Sequence, residues 1–209
     1  MVSCSTEDIA PSVQNDKVAV QFTGGISVNT RAAGLAWAEG DMIGIFMTGT
    51  KQPLSADAIQ EGVDNICHQS NGSIAFSPVS GGKTVFFPID GDVDFYSYYP
   101  QTTVNDYKVA LDVTDQTKQE AIDFMYAKTE GCNKATPQVD LKFFHKLSNL
   151  VLDVQPGNGL TQEDLKKMTV TVKGQNTKAT FNLVDGTISG EETPADITMK
   201  TTEVGKLYE

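Results

Sequence analysis

The sequence predicts an all-β sandwich or barrel. Three observations carry this expectation: many short segments whose side chains alternate with period two, turn signals of Gly, Pro and Asp between them, and only one convincing helix. The chain has 209 residues, enough for one good core or two small ones. Hydrophobic residues make up 39% and charged residues 21%, the balance of a folded protein. No apolar run approaches the roughly 20 residues of a membrane-spanning helix.

Residues 1–16 are polar and read as a tether. In the segment "KVAVQF", Val18, Val20 and Phe22 alternate with Ala19 and Gln21, so they form one apolar stripe of a strand. "TGG" is expected to end that strand, with "ISVNT" resuming the pattern. Trp37 precedes a Gly40-Asp41 turn and an apolar strand from Met42 to Met47. "SADAIQEG" reads as a short helical turn. "KTVFFPID" reads as a strand that Pro88 confines to a strand end or a sheet edge. In "GDVDFYSYYP", Val93, Phe95 and Ser97 alternate with Asp94, Tyr96 and Tyr98, and Pro100 closes the strand. "YKVALDV" and "DFMYAK" are further strands.

Pro137 opens a new pattern in which Val139, Leu141, Phe143, Leu147 and Leu150 fit strand or helix by period, and the Val151–Val154 end argues for strand. In "TQEDLKKM", Thr161 and Asp164 have capping-box spacing and predict a helix. "TVTVKG" and "DITMKTT" read as strands, and "ATFNLVDGTIS" as a hairpin turning at Asp185-Gly186. A boundary is placed in "TEGCNKATP". It gives a tether at 1–16, a first β-domain at 17–135 and a second β-unit at 136–209.

The formal charge of −11 and pI near 4.6 leave no basic patch to neutralise phosphates, which excludes nucleic acid as a partner. Catalytic triads need a histidine beside a nucleophile. Only two exist: His68 in the polar stretch "ICHQSNG", and His145 at a core edge, where a backbone partner is expected. Asp90, Asp92 and Asp94 have the D-x-D-x-D spacing that calcium favours, but Phe95 stands where an EF-hand loop requires glycine, so a hairpin-like turn is expected. Nothing singles out a carboxylate pair for glycoside hydrolysis. No catalytic residue, metal ligand or cofactor is therefore assigned, and a binding or structural role leads. Cys67 and Cys132 either pair or remain buried thiols. The aromatic run Phe95, Tyr96, Tyr98 and Tyr99 is the candidate platform for a carbohydrate or host ligand, since aromatic faces stack on sugars.

Two features stand near the N-terminus. Cys4, after Met-Val-Ser, fits the end of a trimmed lipoprotein signal. Arg31 is the only arginine among the 16 lysines and arginines.

The blocks "GLAWAEGDMIGIF", "KTVFFPIDGDVDFYSYYP", "DFMYAK", "PQVDLKFFHKLSNLVLDV" and "TVTVKGQNTKATFNLVDGTIS", in this order, resemble the fimbrillin family of Bacteroidales, the lipoprotein pilins of type V pili and related surface fimbriae. The resemblance covers the chain from about residue 18 onward. It implies tandem transthyretin-like β-sandwich domains and a lipid on Cys4 as the only tie to the membrane. It also implies a place on the outer membrane and in a cell-surface fimbrium, and other fimbrial subunits as partners. It further implies cleavage by an arginine-specific protease between Arg31 and Ala32. The strand bearing Val18, Val20 and Phe22 would then be displaced, and a neighbour's strand would take its groove. Relative to the family this sequence stops early, at "GKLYE", so the second domain is expected to be incomplete and to lack the family's C-terminal donor. The alternative is a surface lipoprotein that does not polymerise and binds a host glycan or protein through the aromatic platform.

Overall fold

A computed structural model describes residues 17–27, 36–203 and 206–208. The chain is mostly β, as the period-two patterns predict. Its strands are β1 Gln21–Ser27, β2 Glu39–Gly49, β3 Ile66–Asn71, β4 Ala75–Pro78, β5 Val93–Tyr99, β6 Lys108–Asp112, β7 Met125–Cys132, β8 Gln138–His145, β9 Val151–Asp153, β10 Thr171–Asn182, β11 Thr187–Thr198, β12 Lys200–Glu203 and β13 Lys206–Tyr208. Seven of them close into a barrel in the order β1-β4-β3-β2-β5-β7-β8. A second sheet has the order β11-β10-β6, and a third the order β12-β13-β9. Among the described residues this arrangement does not establish tandem transthyretin-like domains.

The helices are short. A 3₁₀ turn at Ala56–Ala58 lies in the "SADAIQEG" segment. The expected capping box forms at α2, Gln162–Leu165: the Asp164 amide donates to Thr161 Oγ1, and the Thr161 amide donates back to the Asp164 carboxylate. Helix α1, Gln119–Ile122, had no signature in the sequence.

Two apolar cores follow from the layering. The barrel lumen holds Phe22, Trp37, Ile43, Ile45, Phe95 and Phe143 among others. The outer face of β2, β5 and β7 packs through Phe46, Tyr96, Tyr98 and Tyr126 on Val109, Leu111 and Phe181 of the second sheet. Strand β5 is thus covered on both faces, and all seven of its residues are buried. That burial explains its continuous apolar and aromatic character, since a strand between two layers has no solvent face to leave polar.

Several expectations change here. The boundary expected between residues 135 and 136 falls between β7 and β8, which are neighbours in one sheet: Tyr126 lies opposite Phe144. Meanwhile β6, from the first half of the chain, pairs with β10. The hairpin of β10 and β11 turns through the four residues Leu183–Gly186 rather than two. Leu183 causes this. Its side chain is drawn into the outer core, and its carbonyl accepts a hydrogen bond from the Tyr126 hydroxyl at 2.9 Å. The chain therefore leaves the strand ladder at Asn182. The "VFFP" segment forms no long strand; among the described residues, Val85–Phe87 pair only with the chain just before β1.

Candidate functional site

The first strand and the groove it occupies form the candidate site. Its flanks are hydrogen-bonded on both sides. On one side β1 runs parallel to β8, in register from Gln21 opposite Gln138 to Ser27 opposite Phe144. On the other it runs antiparallel to β4 through Phe22 opposite Phe76 and Thr23 opposite Ala75. Just upstream, the Val20 amide donates to the Val85 carbonyl and the Phe87 amide to the Val18 carbonyl, each at 2.9 Å. The Thr23 hydroxyl and the amide of Gln138 both donate to the Asp140 carboxylate, and these bonds hold it below the usual carboxylate range.

The inward stripe expected from the sequence is present. Val20 and Phe22 are buried and Val18 packs at the core edge, while Ala19 and Gln21 face outward. Phe22 lies edge-on to Phe95 with ring centroids 5.2 Å apart, and edge-on to His68 at 5.3 Å. Fully burying each such side chain contributes roughly 1.5–3 kcal/mol. The strand does not end at "TGG", however. It continues through Gly24 and Gly25 to Ser27.

Two positions in this groove had no role in the sequence reading. Trp37 donates its indole N–H to the Gly24 carbonyl at 2.7 Å. Its ring meets Phe76, Phe143 and Tyr99 edge-on at 5.0, 5.1 and 5.4 Å. Gly24 lies directly under this aromatic cluster. The signal for it was the paired glycine in an otherwise apolar strand pattern, which marks a close approach as well as a bulge or bend.

His68, expected in a polar loop, lies instead on β3 with its side chain buried. Burial pushes its pKa down to about 4, against a smaller upward pull from a hydrogen bond to the Cys67 backbone. The unfolded imidazole takes up its proton near pH 6.5, so the folded state binds fewer protons between that value and about 4. Stability is therefore full above pH 6.5 and falls as the pH drops toward 4, by on the order of 3 kcal/mol. Phe22 rests edge-on against this ring, so the destabilising charge arises beside the first strand. Urea titrations at pH 7 and pH 4.5 are expected to show a larger drop for the parent chain than for His68→Gln.

The remaining candidates are accounted for by structure. Cys4, Arg31 and Ala32 lie outside the described residues. Phe95, Tyr96, Tyr98 and Tyr99 are all buried, which corrects the expectation of a ligand platform. The physical reason is the two-sided cover of β5: Phe95 and Tyr99 fill the lumen, and Tyr96 and Tyr98 lie under the second sheet. The Tyr98 hydroxyl is bonded to Asn65 and to the Thr102 carbonyl.

His145 pairs with a carboxylate and not with the backbone, its Nδ1 lying 2.7 Å from Asp123 Oδ1. In the D-x-D-x-D run, Asp94 turns inward and accepts from the Thr50 hydroxyl and the Lys51 and Gly131 amides, whereas Asp92 accepts from Asn133. These aspartates brace loops. Cys67 and Cys132 are free thiols; burial raises both, Cys132 to about 11. A cleft of about 380 Å³ between Pro100–Thr102, β6 and α1 contains a single carboxylate, Asp112, which is engaged by Thr114 and Lys178. It offers no acid–base pair.

The fimbrillin-like family profile matches residues 30–209. The chain belongs to the fimbrillin-like family. A candidate fimbrium subunit of Bacteroides uniformis, Fim1C, is 37% identical in a 194-residue alignment that covers 88% of this chain and 61% of that protein. This fimbrillin-like chain thus spans about three fifths of the length of its curated relative. A crystal structure of a candidate cell adhesion protein from Bacteroides uniformis superposes with a TM-score of 0.76 at 34% identity, over 92% of this chain and 74% of that one. A second candidate cell adhesion protein, from Bacteroides ovatus, shares the fold with a TM-score of 0.67 at 24% identity, over 92% and 76% of the two chains.

Proposed function

We propose that this chain is a structural subunit of a cell-surface fimbria, and that its first strand is a removable filler of the groove between β8 on one side and β4 with Val85–Phe87 on the other. An arginine-specific protease hydrolyses the Arg31–Ala32 bond, the piece ending at Arg31 leaves, and a strand of a neighbouring subunit takes its place. A lipid on Cys4 would hold the precursor at the outer membrane until then. The observation that carries this reading is the manner in which β1 is held. Its side chains fill the barrel lumen and its backbone bonds on both flanks. Another extended segment can reproduce all of these interactions, and an empty groove would expose two strand edges and an apolar trough. The lone arginine gives such a protease one target in a chain otherwise rich in lysine. Display on the cell surface also suits the adhesive role named for the 34% identical structural relative.

The test is limited digestion of the folded protein with an arginine-specific protease, followed by mass measurement and light scattering. One cut after Arg31, followed by growth of assemblies when subunits able to donate a strand are added, is expected. Resistance of the folded chain to cleavage would remove the proposal.

A further inference from the structure

The geometry points to a composition rule for the incoming strand: large apolar residues at three successive inward positions, glycine at the fourth, and an aliphatic residue at the fifth, running parallel to β8. The rule rests on the replacement reading above and names the partner segment it requires. The inward positions of the resident strand are Val18, Val20, Phe22, Gly24 and Ile26.

The fourth position is the discriminating one. A Cβ added at Gly24 would lie 2.6 Å from the Phe76 ring, 3.3 Å from the Phe143 ring and 3.3 Å from the Trp37 indole nitrogen. The first distance is below any real Cβ contact. The ring cannot easily withdraw, because Trp37 is held edge-on between Phe76 and Phe143 and is tied to the Gly24 carbonyl. Interiors packed to this density resist even one added methyl group.

Backbone conformation is not what demands glycine here, since Gly24 lies outside the left-handed region. Gly25 is the internal control: an added Cβ there meets nothing within 4 Å. The requirement is therefore a steric gate at one register position. It would also fix the register of the incoming strand, because a slip by two residues would push a side chain into the aromatic cluster.

Two measurements test the rule. In the intact chain, Gly24→Val is expected to lower the thermal midpoint sharply and shift the emission of Trp37, the sole tryptophan, whereas Gly25→Val leaves both unchanged. In the chain cut after Arg31, labelled peptides of residues 17–28 are added in excess, either with the natural sequence or carrying Gly24→Val or Gly25→Val. The natural and Gly25→Val peptides are expected to enter, and the Gly24→Val peptide to bind roughly ten- to a hundredfold more weakly. Equal entry of all three peptides overturns the glycine rule while leaving strand replacement standing. Failure of even the natural peptide to enter overturns replacement itself, and the rule with it.

Discussion

Replacing Phe22 by alanine is expected to lower the stability of the folded chain by roughly 3–5 kcal/mol, the cost of truncating a fully buried phenylalanine where the surroundings cannot collapse. Phe22 is 2% exposed and fills the barrel lumen. Its ring lies edge-on to Phe95 and His68, and its backbone is paired with Val139 on one side and Phe76 on the other. Both flanking strands are fixed by further neighbours in a closed barrel, so they cannot move inward to fill the void. The measurement is equilibrium unfolding in urea followed by Trp37 emission. Because Trp37, outside β1, donates to the Gly24 carbonyl of β1, this signal reports departure of β1 as well as global unfolding. A loss below about 1 kcal/mol would mean that the first strand contributes little to the core.

The second large effect is expected at Asp94, where substitution by alanine should cost about 3–4 kcal/mol. Asp94 is 1% exposed and accepts from the Lys51 amide at 2.8 Å, the Gly131 amide at 2.9 Å and the Thr50 hydroxyl at 3.1 Å. Lys51 has φ 61° and Gly131 has φ 69°, so the carboxylate secures two left-handed turns, one after β2 and one within β7. Alanine removes three hydrogen bonds to a charged acceptor, each worth about 1.5–3 kcal/mol, a loss offset in part by water reaching the exposed Lys51 and Gly131. Asparagine keeps the shape and one acceptor, so about half the loss is expected for Asp94→Asn. The same urea titration measures both. Equal stability of parent and Asp94→Ala would show that water takes over the three bonds.

Much of the fold is legible in local patterns, and the exceptions have physical causes. The stripe of Val18, Val20 and Phe22 is readable because one face of the strand is buried and the other wet. The same logic misreads β5, where alternation locates the strand but cannot tell that β6 and β10 cover its outer face. That cover makes Tyr96 and Tyr98 core residues and removes them as a ligand surface. His68 is missed for a related reason: its strand alternates polar residues with polar residues, His68 and Ser70 inward against Gln69 and Asn71 outward, so no hydropathy contrast marks it. The parallel pairing of β1 with β8 joins segments more than a hundred residues apart, which no local periodicity encodes. Gly24 is ambiguous by itself. It reads as a strand end until Phe76, Trp37 and Phe143 are seen to converge on it.

In the proposed assembly the first strand fills its groove without being irreplaceable there, and the exchange can be watched. It is tested most directly by native mass spectrometry of the chain cut after Arg31, recorded before and after addition of excess peptide of residues 17–28. The fragment ending at Arg31 is expected first to remain bound and then to be exchanged for the peptide, the rest of the chain staying folded. Retention of that fragment with exclusion of the peptide, or unfolding of the chain when the fragment leaves, would contradict it.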